Sequence, residues 1–198
     1  DLMLAIGLSV DGGKDSLSMA ARVKGETVKA PGALVVTVYS PCPDITQTLT
    51  PDLKAADSLL LLVDVADGMR RLGGSALAQV YSQLGDTTPD VEKPQLLAGA
   101  FEVVQTLMRK RMLRGAHDVS DGGLLVAALE MAFAGDLGLE LALPAAEDAF
   151  GALFAEEVAL LLEVAPESEA AVLGAFADKG VPCARVGSAK ASKEVSVA

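Results

Sequence analysis

Residues 117–133 read His117-Asp118-Val119-Ser120-Asp121-Gly122-Gly123 and then Leu124-Leu125-Val126-Ala127-Ala128-Leu129-Glu130-Met131-Ala132-Phe133. A short polar run with paired glycines thus opens directly into an apolar, alanine-rich stretch. The second part predicts a helix from about residue 122 to 133, and the first part predicts a loop over residues 117–121. The pattern is that of an anion and metal corner. The first turn of a helix has unpaired N–H groups, and its dipole favours negative charge. Gly122 and Gly123 carry no side chain to obstruct a phosphate, and Ser120 adds a hydroxyl. Asp118 would repel a bare phosphate, so its presence makes sense through a bridging Mg²⁺, which prefers oxygen ligands. The same residues also suit an ordinary capped helix, because Ser and Asp are preferred caps.

Around this corner, helical and strand patterns alternate. Residues 59–65 (LLLLVDV) predict a buried strand, and a helix over 75–84 follows with Ser75 as N-cap. Residues 85–94 predict a loop. A long amphipathic helix is predicted over 95–113, with Leu97, Phe101, Val104, Leu107, Met108 and Met112 on one face. Its last turn carries Arg109, Lys110 and Arg111, which suits the negative end of the dipole. Further strands are predicted at 138–143, 158–164 and 183–187. Helices are predicted at 147–155 and 167–179, and a frayed tail from Ser188. Helices that return the chain to a sheet predict an α+β or α/β sandwich. Before residue 55 the pattern is looser. A strand is predicted over 3–10, ending in Asp11-Gly12-Gly13. A short helical or irregular segment covers 15–22, and a strand begins near Thr27. The clearest strand of this part is residues 33–39 (ALVVTVY). An extended Pro- and Asp-rich connection leads to a domain boundary near residue 55.

Three other stretches bear on chemistry. Asp11-Gly12-Gly13-Lys14-Asp15-Ser16 has a Gly-Gly-Lys turn, yet Leu8 and Asp15 stand where a P-loop needs Gly and Ser or Thr. Lys14 is either a phosphate contact or an exposed lysine on a turn. Arg70 and Arg71, ahead of Gly73-Gly74-Ser75, either contact phosphate or form a solvated basic turn. Glu156-Glu157 suits acid–base work or a solvated strand edge.

Composition narrows the classes. The chain has 198 residues, enough for one large domain. Its mean hydropathy is +0.40, but the longest clean apolar run, residues 58–63, is far below the roughly 20 residues of a membrane helix. No membrane association and no signal peptide are expected. A net charge of −11 excludes general nucleic-acid binding, which needs clustered Lys and Arg. Cys42 and Cys183 form no zinc or redox spacing, which fits reduced thiols in a cytoplasmic protein. His117 is the single histidine, so zinc hydrolase chemistry is not expected. The chain starts at Asp1 without Met, as a piece of a longer protein would.

The blocks DGGKDSLSM (11–19), APG (30–32), PCPDIT (41–46), TPDLK (50–54), RLGGSALAQ (71–79), HDVSDGG (117–123), EMAFAG (130–135) and LFAEE (153–157) resemble, in order and spacing, the large single-chain phosphoribosylformylglycinamidine synthase family. The resemblance covers nearly the whole chain and fades after about residue 165. It implies a fragment of an ATP-dependent, glutamine-dependent ligase of purine biosynthesis, which makes formylglycinamidine ribonucleotide from formylglycinamide ribonucleotide. In that family ATP phosphorylates the substrate's amide oxygen, and ammonia then displaces phosphate. The implied fold is α+β, a three-layer α/β/α sandwich like the C-terminal domain of aminoimidazole ribonucleotide synthetase. Residues 1–55 would end an incomplete N-terminal subdomain, and 56–198 would form the C-terminal one. Asp118 is implied as a Mg²⁺ ligand and Ser120 as a contact to ATP or ADP, with Gly122, Gly123 and Lys14 as further nucleotide-binding candidates. No catalytic residue is assigned. The family's nucleotide in this half is associated with a structural role. The remaining ligands and the glutaminase are implied elsewhere in the same polypeptide, so the fragment alone is expected to be inactive. Two alternatives stay open: a ligand-free scaffold module of the same enzyme, and another member of the aminoimidazole ribonucleotide synthetase superfamily.

Overall fold

The computed structural model describes residues 1–143 and 148–198. Its centre is a mixed sheet in the order β4-β6-β3-β7-β5-β8. The middle strand is β3 (Leu59–Asp64), paired antiparallel with both β6 (Ala159–Val164) and β7 (Cys183–Lys190). β4 (Gly115–Val119) flanks β6, and β5 (Gly138–Leu141) flanks β7. β8 (Val195–Val197) closes the other side, parallel to β5.

β3 is apolar from Leu59 to Val63 because helices cover both faces of the sheet. Leu61 and Val63 lie against α3 (Pro94–Arg109) and α6 (Glu169–Ala177), packed with Leu107, Val172 and Phe176. Leu60 lies on the opposite face, against Ala128, Met131 and Ala132 of α4 (Gly123–Gly135). Alternate residues of one strand thus feed two separate cores, and the result is a three-layer α/β/α sandwich. The alanines of α4 let that helix approach the sheet closely. At its end Gly135 is required, since a Cβ there would stand 2.4 Å from the Leu53 carbonyl oxygen.

The segment before β3 is fastened by a buried charge. Glu163 of β6 is fully buried and accepts from the backbone N–H of Lys54 (2.8 Å) and of Ala55 (3.1 Å) and from the Ser58 hydroxyl (2.5 Å). Leu53, two residues before the expected boundary, is itself part of the α4-side core. Buried carboxylates persist only where such donors compensate their desolvation.

Residues 1–48 differ from their expected form. Residues 3–10 are no strand: α1 (Leu2–Ile6) is a short helix closed by Gly7. Residues 33–39 form no strand with any of the described residues. The segment 15–22 contributes β1 (Ala20–Val23), which forms a hairpin with β2 (Glu26–Lys29). β-branched composition favours a strand only where a partner exists.

Three other expectations are corrected. Residues 117–119 are strand rather than loop, because they extend the sheet at the open side of β6. The tail pairs as β8 instead of fraying. In α3 the expected Leu107 is buried and Leu97, Val104 and, just past the helix end, Met112 pack at the margin of the core, but the buried face is centred on Leu96, Ala100 and Val103, which leaves Phe101 65% exposed. The helix expected from residue 147 is seen as α5 (Ala149–Phe154), and residue 147 itself lies outside the described residues.

Candidate functional site

The corner between β4 and α4 places the residues that the sequence singled out. β4 pairs with β6, with Asp118 opposite Leu160 and Val119 opposite Ala159. The chain then turns through Ser120 and Asp121, and the Gly123 N–H donates to the Ser120 carbonyl at 3.0 Å. Gly122 adopts φ 86°, a left-handed conformation that favours glycine. Gly123 is glycine for lack of room: a Cβ would lie 2.6 Å from the Leu153 carbonyl oxygen. Both glycines are therefore explained by turn geometry and packing.

Asp118 and Ser120 face solvent at this corner, the Asp118 side chain being 70% exposed. His117 adjoins the Asp118 carboxylate, its Nδ1 lying 3.4 Å from Oδ1. Its Nδ1 lies 2.7 Å from the Asp118 carbonyl oxygen, and its Nε2 lies 3.1 Å from Glu130 of α4. It thereby ties the end of the strand to the helix.

The glutamate pair is not a solvated edge. Glu156 Oε1 accepts from the Gly122 N–H at 2.8 Å and from the Ala76 N–H at 2.7 Å. Ala76 is the first residue of α2 (Ala76–Val80), whose N-cap is Ser75 as the sequence predicts, its hydroxyl accepting from Ala78 N–H at 3.2 Å. Glu157 is 3% exposed and is held by Arg71, with Nε to Oε1 at 2.6 Å and Nη2 to Oε2 at 2.8 Å. Arg71 also reaches Glu92 and the Asp90 carbonyl oxygen, the latter at 2.9 Å. Burial alone would raise the Glu157 carboxyl, but the Arg71 guanidinium and backbone N–H outweigh it and hold the group below the usual carboxylate range. Arg71 is thus neither a phosphate contact nor a solvated basic turn. Arg70 is engaged by Asp64 at 2.9 Å. The fold therefore brings together three stretches that the sequence presents separately: 70–76, 117–123 and 156–157.

Lys14 is elsewhere. It contacts the Ser16 hydroxyl and lines an open cleft of about 580 Å³ with Gly13, Met19, Pro31, Leu34 and Val35, to which neither Asp118 nor Ser120 contributes.

Among the described residues, no group of three or more His, Cys, Asp or Glu side chains is arranged to hold a metal. Asp118 offers one exposed carboxylate. That suits Mg²⁺ bound in its common manner, through one or two carboxylates together with phosphate oxygens and water. The void lined by Leu62, Val119 and Leu124 is about 20 Å³, room for one water. A nucleotide at this corner would lie over its exposed surface.

Comparison with known families decides the affiliation. AIR synthase related protein, C-terminal domain, matches residues 55–198. The chain belongs to this family. It is 52% identical over 189 residues to human phosphoribosylformylglycinamidine synthase, covering 94% of this chain and 14% of that protein. It is 51% identical over 176 residues to a probable phosphoribosylformylglycinamidine synthase, chloroplastic/mitochondrial, of Arabidopsis thaliana, covering 87% of this chain and 12% of that protein. The chain thus spans about a seventh of the length of these relatives. Among solved structures, the family fold is shared with Thermotoga maritima PurL complexed with FGAR (TM-score 0.62, 16% identity, 74% of this chain and 26% of that one). It is also shared with Escherichia coli HypE, a hydrogenase maturation protein (TM-score 0.52, 22% identity, 76% of this chain and 49% of that one).

Proposed function

We propose that the chain is the AIR-synthase-like C-terminal part of a phosphoribosylformylglycinamidine synthase, a glutamine-dependent ligase of purine biosynthesis, and that it binds ATP or ADP with Mg²⁺ at the β4–α4 corner. One observation carries the site: an exposed carboxylate and an exposed hydroxyl, Asp118 and Ser120, stand two residues apart where the end of β4 turns into α4. Asp118 would supply a Mg²⁺ ligand and Ser120 a hydrogen bond to the nucleotide. The ion, when bound, would neutralise charge between carboxylate and phosphate. Gly122 and Gly123 shape the turn, since the Gly122 N–H is already engaged by Glu156. Lys14, in its separate cleft, belongs to the proposal only as a contact for another part of the ligand or polypeptide. The relatives' far greater length favours a role completed by other domains, an upstream synthetase half and a downstream glutaminase, with no turnover by this chain alone. The cytoplasm is the proposed compartment, on the strength of the unpaired Cys42 and Cys183.

Calorimetric titration of ATP and ADP with Mg²⁺ into the chain, beside Asp118→Ala, tests the site. Saturable binding that the substitution abolishes supports the proposal. Absence of binding in the unaltered chain would leave it a scaffold.

A further inference from the structure

We infer that Glu156 is a positioning residue of the β4–α4 corner: its carboxylate oxygen sets the turn that presents Asp118 and Ser120 by fastening that turn to the start of α2. This rests on the nucleotide-site reading above. The argument is one of shared geometry. A single oxygen, Oε1, accepts from two backbone N–H groups on separate elements, Gly122 at 2.8 Å and Ala76 at 2.7 Å. Gly122, like Gly123, is a left-handed residue of the turn, and the turn's other fixed point is the Gly123 N–H to Ser120 carbonyl bond. With Glu156 in place, the turn is held from within and from outside. Without it, Gly122 loses the external hold and Ser120 shifts relative to Asp118, whose strand is fixed by β6. The adjacent Glu157 fastens Arg71, at the other end of the same 71–76 segment, so the anchoring of α2 survives in part when Glu156 is changed.

This geometry asks for an acceptor oxygen at the right reach, not for a charge. Glu156→Gln retains such an oxygen, Glu156→Asp draws it back by one methylene, and Glu156→Ala removes it. The experiment is titration of MgADP into the chain and these three variants. Thermal unfolding and amide exchange at Ala76 and Gly122 are recorded alongside. Glu156→Ala and Glu156→Asp are expected to weaken binding by about tenfold or more, as loss of a hydrogen bond that leaves a partly buried donor unpaired does. Glu156→Gln is expected to restore most of it, with faster amide exchange only in the Ala and Asp variants. Unchanged affinity in Glu156→Ala, with Gly122 exchange accelerated, overturns the inference and leaves the nucleotide site standing. Tighter binding by both Gln and Ala variants also overturns it, showing the carboxylate to be a competitor of phosphate. No binding by the unaltered chain sinks the nucleotide site and this inference with it. If Glu156→Ala does not fold, the contrast between Gln and Asp decides.

Discussion

Residues 1–48 and residues 53–198 carry equally suggestive motifs and behave as opposites. In the first region no residue is buried, and Leu4, Leu34, Val35 and Tyr39 are largely exposed, Tyr39 at 90%. In the second, two apolar cores close on either face of one sheet. The glycine turn at Asp11-Gly12-Gly13-Lys14 therefore lies beside an open cleft with no buried residue near it, while the turn at Ser120-Asp121-Gly122-Gly123 is set by β6, α5 and Glu156. A glycine-rich turn acquires chemistry only when its surroundings fix what it presents.

The contrast can be tested first where it is strongest. Phe176→Ala empties a fully buried position in the α3–α6 core and should cost about 4 kcal/mol. Leu34→Ala, at a position 88% exposed, should cost no more than about 0.5 kcal/mol. Urea midpoints of the two variants measure the difference, and similar losses in both would mean that the first region is packed in solution. A smaller effect is expected from Glu163→Ala, which strips the Lys54 and Ala55 N–H groups and the Ser58 hydroxyl of their acceptor. It should cost about 3 kcal/mol, with amide exchange at Lys54 and Ala55 accelerated. The smallest effect concerns acid. Glu157 is held below its ordinary value, so in the native state it binds fewer protons than in the unfolded chain. Its contribution is complete above the usual glutamate value of about 4.3 and is lost as pH falls through the depressed one. The stability gap between the unaltered chain and Arg71→Ala should therefore narrow below about pH 4, as read from urea midpoints over a pH series. A gap independent of pH would show that Arg71 contributes through packing alone.

The centre of the fold is readable from sequence because its signals are redundant. Residues 59–65 and 158–164 are too apolar and too short for anything but buried strands, and the helices flanking them have the right period. The errors arise where two answers share one local pattern. In α3, adjacent apolar stripes run along the helix, and only the sheet decides that Ala100 rather than Phe101 faces inward. In β4, Gly115, His117 and Asp118 have little strand preference and become strand through the partner that β6 supplies. The apolar alternation at residues 33–39 finds no strand partner among the described residues and remains irregular.

At the candidate site, Asp118 and Ser120 are reached by resemblance and by the logic of a helix start, and the structure places them together at one corner. The roles of Glu156, Glu157 and Arg71 were not legible. Their signal lies in the pairing of residues far apart in sequence, 34 between Gly122 and Glu156, 80 between Ala76 and Glu156 and 86 between Arg71 and Glu157. A carboxylate pair next to an apolar strand, combined with a distant arginine and a second glycine turn, is the pattern that would have found them.

The neighbouring positions of Glu156 and Glu157 have a consequence for how the molecule opens. Beside the Arg70–Asp64 pair, segment 70–92 is moored through one dipeptide: Glu156 takes the start of α2, while Glu157 takes Arg71, which in turn gathers Asp90 and Glu92. Moorings that share one attachment are released together. The two moorings at Glu156 and Glu157 are thus expected to loosen together, leaving the Arg70–Asp64 pair as the remaining tie to the sheet.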